Sequence, residues 1–276
     1  MDQIAFFWVG QNITVPNILV ESINLIYQSD VKIYHLTDMI TPPVPGVTQV
    51  YRQKLSSDVM VARLEAYKSL CVSNNDLICF CDADSLFLNR LNLNQLKKDI
   101  YLVKRTKHHD GMMNANFNEH YPEFENKKVS EVMPYFFGNL IIRNNESFFN
   151  ELYKICLGLP DRFHRWFGDQ YSLKIKTEKT ESKFELLENK KYLYITDKIL
   201  SNDNILDLVS NDTKLVTFKG FETKQFLKQT YFNLLNLKNN AQSFVDVKNL
   251  NVIPKSVNNE AEELYKLILK NLSASN

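Results

Sequence analysis

Nearly continuous apolar runs alternate along the chain with stretches whose apolar positions recur every three to four residues. "IAFFWVG" (4–10) is apolar almost throughout and stops at Gly10, the pattern of a strand covered on both faces. "VPNILVESINLIYQ" (15–28) spaces Ile18, Leu19, Ile23 and Ile26 along one helical face, with Pro16 close to the first turn, and predicts a helix. "VKIYHLTD" (31–38) returns to strand character and is closed by the Pro-rich "TPPVPG". A βαβ unit therefore opens the chain.

The alternation continues with a helix at 58–72, an apolar strand "LICFCDAD" at 77–84, strands at 100–106 and 135–144, and a helix at 146–159. A polar helix around 169–177, short strands at 192–195 and 214–218, and helices at 222–237 and 260–272 follow. Strands alternating with helices predict a Rossmann-like α/β fold, a mostly parallel central sheet flanked by helices, with a C-terminal helical appendage. We divide the chain into a main domain, 1–222, and a helical extension, 223–276, that packs on it. The 7 Gly and 8 Pro are scattered, so composition marks no flexible linker, and no repeat is visible.

Composition narrows the partners. With 33 Lys+Arg against 32 Asp+Glu, nothing global favours nucleic acid or an anionic membrane. The opening "MDQIAFFWVG" lacks the basic start and long apolar core of an export signal, and no apolar segment approaches a bilayer span. The expectation is a soluble cytoplasmic protein with at most peripheral contact at the inner membrane face. Cys71, Cys79, Cys81 and Cys156 lack zinc-site spacing and read as reduced core thiols.

The chemistry concentrates in "DLICFCDADSLFLN" (76–89), where Asp82 and Asp84 close the buried run. In an open α/β sheet, ligands bind beyond the carboxyl ends of the strands. Two carboxylates one residue apart on the same side of an extended segment repel unless a positive charge sits between them. A hard divalent cation bridging to a diphosphate suits them, and a turn in which both aspartates cap backbone N–H groups suits them too.

An apolar strand ending in D-x-D, preceded by a βα start and an Arg-bearing helix, resembles the nucleotide-sugar glycosyltransferases of the GT-A fold, and among them family 8 and its relatives. Four further segments carry the likeness. "VARLEAYKSL" resembles the Arg-bearing helix, implying that Arg63 contacts the nucleotide or its phosphates. "PYFFGNLIIRN" resembles the strand that lines the sugar site, with Gly138 and Asn139 at the lining positions. "WFGDQYSL" resembles the Asp-Gln segment, implying a catalytic Asp169 facing the donor sugar or acceptor, supported by Gln170; such a pair also makes an ordinary helix cap. "LVTFKGFETKQF" resembles the late element in which a His completes the metal site and a Lys holds the diphosphate. Here Thr217 stands at the His position, the Lys falls one residue late as Lys224, and Lys219 and Gly220 lie between them.

The resemblance implies Mn²⁺ or Mg²⁺ on Asp82 and Asp84, with Asp82 and Ala83 also at the nucleotide. It places the base near Val9, Gly10, Asn12 and Asp38, and the diphosphate near Lys219 and Lys224. The implied reaction moves a sugar from a nucleoside diphosphate sugar, UDP-sugar favoured, to a glycan or lipid-linked acceptor hydroxyl in cell-surface glycan synthesis, with retention favoured over inversion. Two alternatives stay open. Haloacid-dehalogenase-like phosphatases also end a strand in D-x-D, but they begin near it and follow it with a Gly-Thr turn, whereas a βαβ unit precedes it here and "SLFL" follows. The other is a catalytically silent member of the fold that binds sugar or nucleotide. His108, His109, Asp110 and His120 fall on a polar-aromatic segment where an acceptor loop would lie, His35 and His164 read as structural, and Trp166 or Phe167 is placed to stack on a sugar.

Overall fold

The computed structural model describes residues 1–72, 76–105, 111–113, 115–143, 146–179, 184–219 and 222–249. The first half runs β1 (Asp2–Phe7), α1 (Thr14–Tyr27), β2 (Val31–Thr37), β3 (Gln49–Arg52), α2 (Val59–Val72), β4 (Leu77–Cys81), β5 (Ser85–Phe87) and β6 (Ile100–Lys104). It continues through α3 (Ala115–His120), α4 (Val129–Val132), β7 (Tyr135–Arg143), α5 (Glu146–Leu157), α6 (Asp161–Arg165) and α7 (Gly168–Lys179). Then come β8 (Glu185–Leu187), α8 (Asn189–Tyr192), β9 (Tyr194–Thr196), α9 (Asn202–Ser210), β10 (Leu215–Phe218) and α10 (Thr223–Asn249).

A seven-stranded sheet in the order β3-β2-β1-β4-β7-β6-β8 forms the centre. Only β7 runs against its neighbours: β4 and β6 both pair with it antiparallel, and the other pairings are parallel. The mostly parallel sheet expected from the sequence is therefore present, with one strand reversed. β1 shows why the apolar runs form central strands: Ile4 and Phe6 pack on one face with Leu19, Ile23 and Tyr27 of α1, while Ala5 turns to the other with Leu64, Tyr67 and Leu70 of α2.

Several boundaries differ from expectation. The strand expected over 77–84 ends at Cys81, and the chain turns at Asp82–Asp84 into β5, which pairs antiparallel with β10 in a second sheet, β5-β10-β9. The strand expected at 192–195 starts as the helical turn α8 and becomes extended only at Tyr194. The helix expected to stop near 237 runs to Asn249, and its Leu227, Tyr231, Leu234 and Leu237 join Leu86, Val216 and Ile18 in a third apolar cluster. The helix expected at 260–272 lies outside the described residues. All four cysteines are free and buried.

One buried group sets a pH limit. His35 in β2 is 0% exposed, stacks on Phe6 with ring centroids 4.9 Å apart, and has its Nε2 3.3 Å from the Trp8 carbonyl. Burial lowers its pKa from 6.5 to about 4. The unfolded ring gains its proton near 6.5 while the folded ring stays neutral, so stability is lost as pH falls through that window, on the order of 3 kcal/mol by pH 4. Urea denaturation between pH 7 and 4 is expected to show this slope in the wild type and a flatter profile in His35→Phe. The Trp8 carbonyl keeps its hydrogen bond from Thr37 at 2.7 Å, so the substitution leaves no orphaned acceptor.

Candidate active site

β1, β2 and β3 lie to one side in the sheet and β4 to the other, so the strand order reverses between β1 and β4. A crevice outside the carboxyl ends of strands at such a reversal is where open α/β sheets bind ligands. The Asp82–Asp84 turn sits there, pinned by Asp82 N donating to the Gly138 carbonyl at 3.1 Å.

Side chains from three elements, α2, β10 with its end, and α7, meet at this turn. Arg63 of α2 donates through Nη1 to Asp82 Oδ1 at 2.9 Å and through Nη2 to Asp169 Oδ2, while its guanidinium lies 4.7 Å from the Phe137 ring centroid. Lys219, just past β10, donates through Nζ to Asp82 Oδ2 at 3.2 Å and Asp84 Oδ2 at 3.4 Å. Thr217 Oγ1 donates to Asp84 Oδ1 at 3.3 Å. Asp169, in the first turn of α7 and 1% exposed, accepts from the Gln170 backbone N–H at 2.6 Å.

The backbone holds this arrangement in place. Gln170 accepts from Phe137 N at 3.0 Å and donates to the Tyr135 carbonyl, tying α7 to β7 on either side of Phe136. Gly138 is required by space, because a Cβ there would run into the Asp82 carboxylate. Phe167 precedes Gly168 at φ +74°, a left-handed conformation that costs an aromatic residue energy, and the turn delivers Asp169 to Arg63.

Burial and charge pull the ionisations apart. Burial alone would raise Asp82, but Lys219 and Arg63 hold it below the usual carboxylate range. Asp84 is raised by burial and by repulsion from Asp82, against the pull of Lys219. Burial would lower Lys219, yet the two carboxylates keep its ammonium protonated to higher pH than usual. The side chains of Asp82, Asp84 and Lys219 keep 23%, 29% and 49% of their surface open, so the cluster is reachable from solvent.

No protein-family model matches the sequence, and no curated protein sequence does. Solved structures do match. The galactosyltransferase LgtC, crystallised with donor and acceptor sugar analogues, superposes with a TM-score of 0.51 at 9% identity over 83% of this chain and 95% of its own. A glycosyltransferase involved in glycosylating the major capsid of PBCV-1 gives 0.54 at 6% identity over 83% and 98%. The chain has the GT-A fold. At these identities the likeness is one of fold, and the site must be argued from its own residues.

In this GT-A chain the structure brings Arg63, Asp82, Asp84, Thr217, Lys219 and Asp169 into one cluster with Gly138 beneath it. Asn139 does not join them. It points to the opposite face of β7, where it donates to the Tyr192 carbonyl at 2.8 Å and accepts from Cys79 Sγ at 3.5 Å. Ala83 packs into the apolar cluster with Leu86 and Val216. Lys224 is exposed on the first turn of α10 and forms none of the cluster's hydrogen bonds, and Gly220 lies outside the described residues.

The loops after β1 and β2 are tied together by Gly10 N donating to Thr41 Oγ1 at 2.9 Å, with Gly10 at φ +134° and open space beside it. Asp38 Oδ1 accepts from Ile40 N at 3.1 Å and Thr41 N at 2.7 Å, Asn12 accepts from Thr14 N at 3.0 Å, and Val9 is exposed. His164 Nε2 lies 2.9 Å from the Cys156 carbonyl, His120 is exposed on α3, and His108, His109 and Asp110 lie outside the described residues. Sequence reasoning missed Phe137 as the ring under Arg63 and the Gln170 clamp on β7. The two are linked, since Gln170 fixes the Phe137 backbone.

Many GT-A enzymes use a divalent metal. Asp82 and Asp84 converge on one point, but that point lies beside the Lys219 ammonium and all four carboxylate oxygens already accept hydrogen bonds. Among the described residues no group of three His, Cys, Asp or Glu side chains is placed to hold a metal ion. A neutral Thr217 hydroxyl, turned to Asp84 as donor, does not complete an oxygen shell. With the Lys219 ammonium in place, the described donor set does not make a metal centre.

Proposed function

We propose that this protein is a glycosyltransferase that moves a sugar from a nucleoside diphosphate sugar to an acceptor hydroxyl. The observation that carries the reading is the Lys219–Asp82–Arg63–Asp169 chain of charge at the sheet's reversal point, in a GT-A fold. A transferred sugar leaves a diphosphate behind, and the Lys219 and Arg63 cations are preorganised where that negative charge develops. Asp169 places a carboxylate beside the same point, where it would stabilise positive charge building on the reacting carbon. One of its oxygens is held by Arg63 and the other by the Gln170 N–H, and the residue is 1% exposed, which sets it poorly to take a proton from the acceptor. That favours retention of configuration over inversion, with Gln170 as a positioning residue.

A UDP-sugar is the favoured donor, with the base near Val9, Gly10, Asn12 and Asp38, and a glycan or lipid-linked sugar of the cell surface the favoured acceptor. No helix among the described residues is long and apolar enough to cross a membrane. A second reading has Mn²⁺ or Mg²⁺ held by Asp82 and Asp84 and supplying Lewis-acid stabilisation of the diphosphate. The convergence of the two carboxylates favours it, and it requires Lys219 to leave its place.

Nucleotide-sugars tested for thermal stabilisation, followed by assay of sugar transfer to hydroxyl acceptors, check the proposal. One donor is expected to raise the melting temperature and to be consumed with release of its nucleoside diphosphate. Asp169→Asn is expected to lower kcat about a hundredfold or more with a smaller change in donor affinity. Hydrolysis of a generic phosphoester, lost in Asp82→Asn, would replace the reading with a phosphatase. Donor binding with neither transfer nor hydrolysis would make the protein a silent binder.

A further inference from the structure

We infer that the Lys219 ammonium is the working cation of this site, standing where a divalent metal would bridge Asp82 and Asp84, so that nucleoside diphosphate binds without a metal. The inference deepens the glycosyltransferase reading and rests on it. Three observations carry it, the first being position. Nζ lies 3.2 Å from Asp82 Oδ2 and 3.4 Å from Asp84 Oδ2, so an ion bridging those oxygens would share its space with a like charge.

The second is that a side chain of β10 and one just past its end fit together in this role. Thr217 and Lys219 are two residues apart, a spacing that sends both to the same side of an extended chain, and both reach Asp84. Thr217 gives Asp84 Oδ1 a hydrogen bond, and Lys219 supplies charge to Oδ2. The Lys219 backbone N–H donates to the Thr196 carbonyl at 3.0 Å, continuing the β10–β9 ladder, so the root of the side chain is fixed by the second sheet.

The third is the remaining capacity of the group. An ammonium has three N–H donors, and Lys219 uses two on the carboxylates while its side chain stays 49% exposed. The third is available to a diphosphate oxygen. Arg63 and Lys219 stand against three carboxylates, Asp82, Asp84 and Asp169, so the cations are held in place without the cluster becoming a strong anion trap for free phosphate.

The test titrates the full chain by calorimetry with UDP, GDP, ADP and CDP, once in EDTA and once with Mn²⁺. At least one diphosphate is expected to bind in EDTA, within about threefold of its affinity with Mn²⁺, because a monovalent cation already occupies the bridging point. Lys219→Met is expected to weaken binding in EDTA by about tenfold or more, the loss of a charge-assisted contact, and Lys219→Arg to restore most of it. A separate readout uses Mn²⁺ alone. Removing the ammonium frees the two carboxylates, so Lys219→Met is expected to deplete the electron-paramagnetic signal of free Mn²⁺ where the wild type leaves it unchanged. Binding to wild type only when Mn²⁺ is present, or wild-type affinity of Lys219→Met in EDTA, overturns the Lys219 assignment and leaves the transferase standing. Failure of all four diphosphates under both conditions overturns the two together. The wild-type comparison decides the matter even if the methionine variant does not fold.

Discussion

Gly138→Ala is expected to lower kcat/KM for donor transfer by about a hundredfold or more while the protein still folds. The added methyl group falls on the Asp82 carboxylate, and neither partner has an easy way out. β7 is locked in register with β4, Cys81 against Asn139, and the Gly138 carbonyl accepts from Asp82 N at 3.1 Å, so the backbone cannot back away without breaking the turn that carries the site. The carboxylate must swing out instead, releasing Arg63 at one oxygen and Lys219 at the other. Each lost charge-assisted hydrogen bond is worth about 1.5–3 kcal/mol, and two of them account for the expected factor. The fold survives because Asp82 is 23% exposed and can turn towards water. Donor titration, turnover and a thermal melt measured together check this, and unimpaired transfer by Gly138→Ala would remove Asp82 from the site.

How much of this was readable from the chain depends on the range of the interaction. The opening βαβ unit and the buried β4 are legible because apolar runs and a 3.6-residue spacing are local signals. The reversal of β7 is not, since its near-continuous apolar pattern is the same in either direction. β3 escapes notice as a four-residue edge strand following a Pro-rich segment, and β5 hides because "SLF" reads as a continuation of the preceding apolar strand. At Gly138 and Asn139 the family likeness grouped two neighbours that a strand must send to opposite faces, and the period-two rule was the available signal that only one of them could line the site. Thr217 is legible in the sequence as a departure from the family pattern. What the sequence could not show is that Lys219, 137 positions from Asp82 in the chain, ends between the two aspartates, because that depends on how the second sheet docks on the first.

Arg63→Ala is expected to cost about 3–5 kcal/mol of folding stability, more than any other single change in the cluster. The guanidinium is 18% exposed and Asp169 1%, so its removal strands a buried carboxylate with no other cation bonded to it among the described residues. The contact with the Phe137 ring, 4.7 Å away, is lost as well. Arg63→Lys is expected to recover only part of the loss, since one ammonium cannot present a planar fork to Asp82 and Asp169 together. If the buried pair is the cause, Asp169→Asn in the Arg63→Ala background restores stability, and the two changes fall short of additivity by about 1–3 kcal/mol in urea denaturation. A cost below about 1 kcal/mol for Arg63→Ala is the behaviour of an exposed pair and would refute the geometry. The comparison with Asp82 then separates two kinds of damage. Asp82→Asn is expected to remove activity with little loss of stability because that carboxylate is partly solvated. Arg63→Ala is expected to lower both, because one guanidinium positions Asp82 for the diphosphate and neutralises Asp169 for the fold.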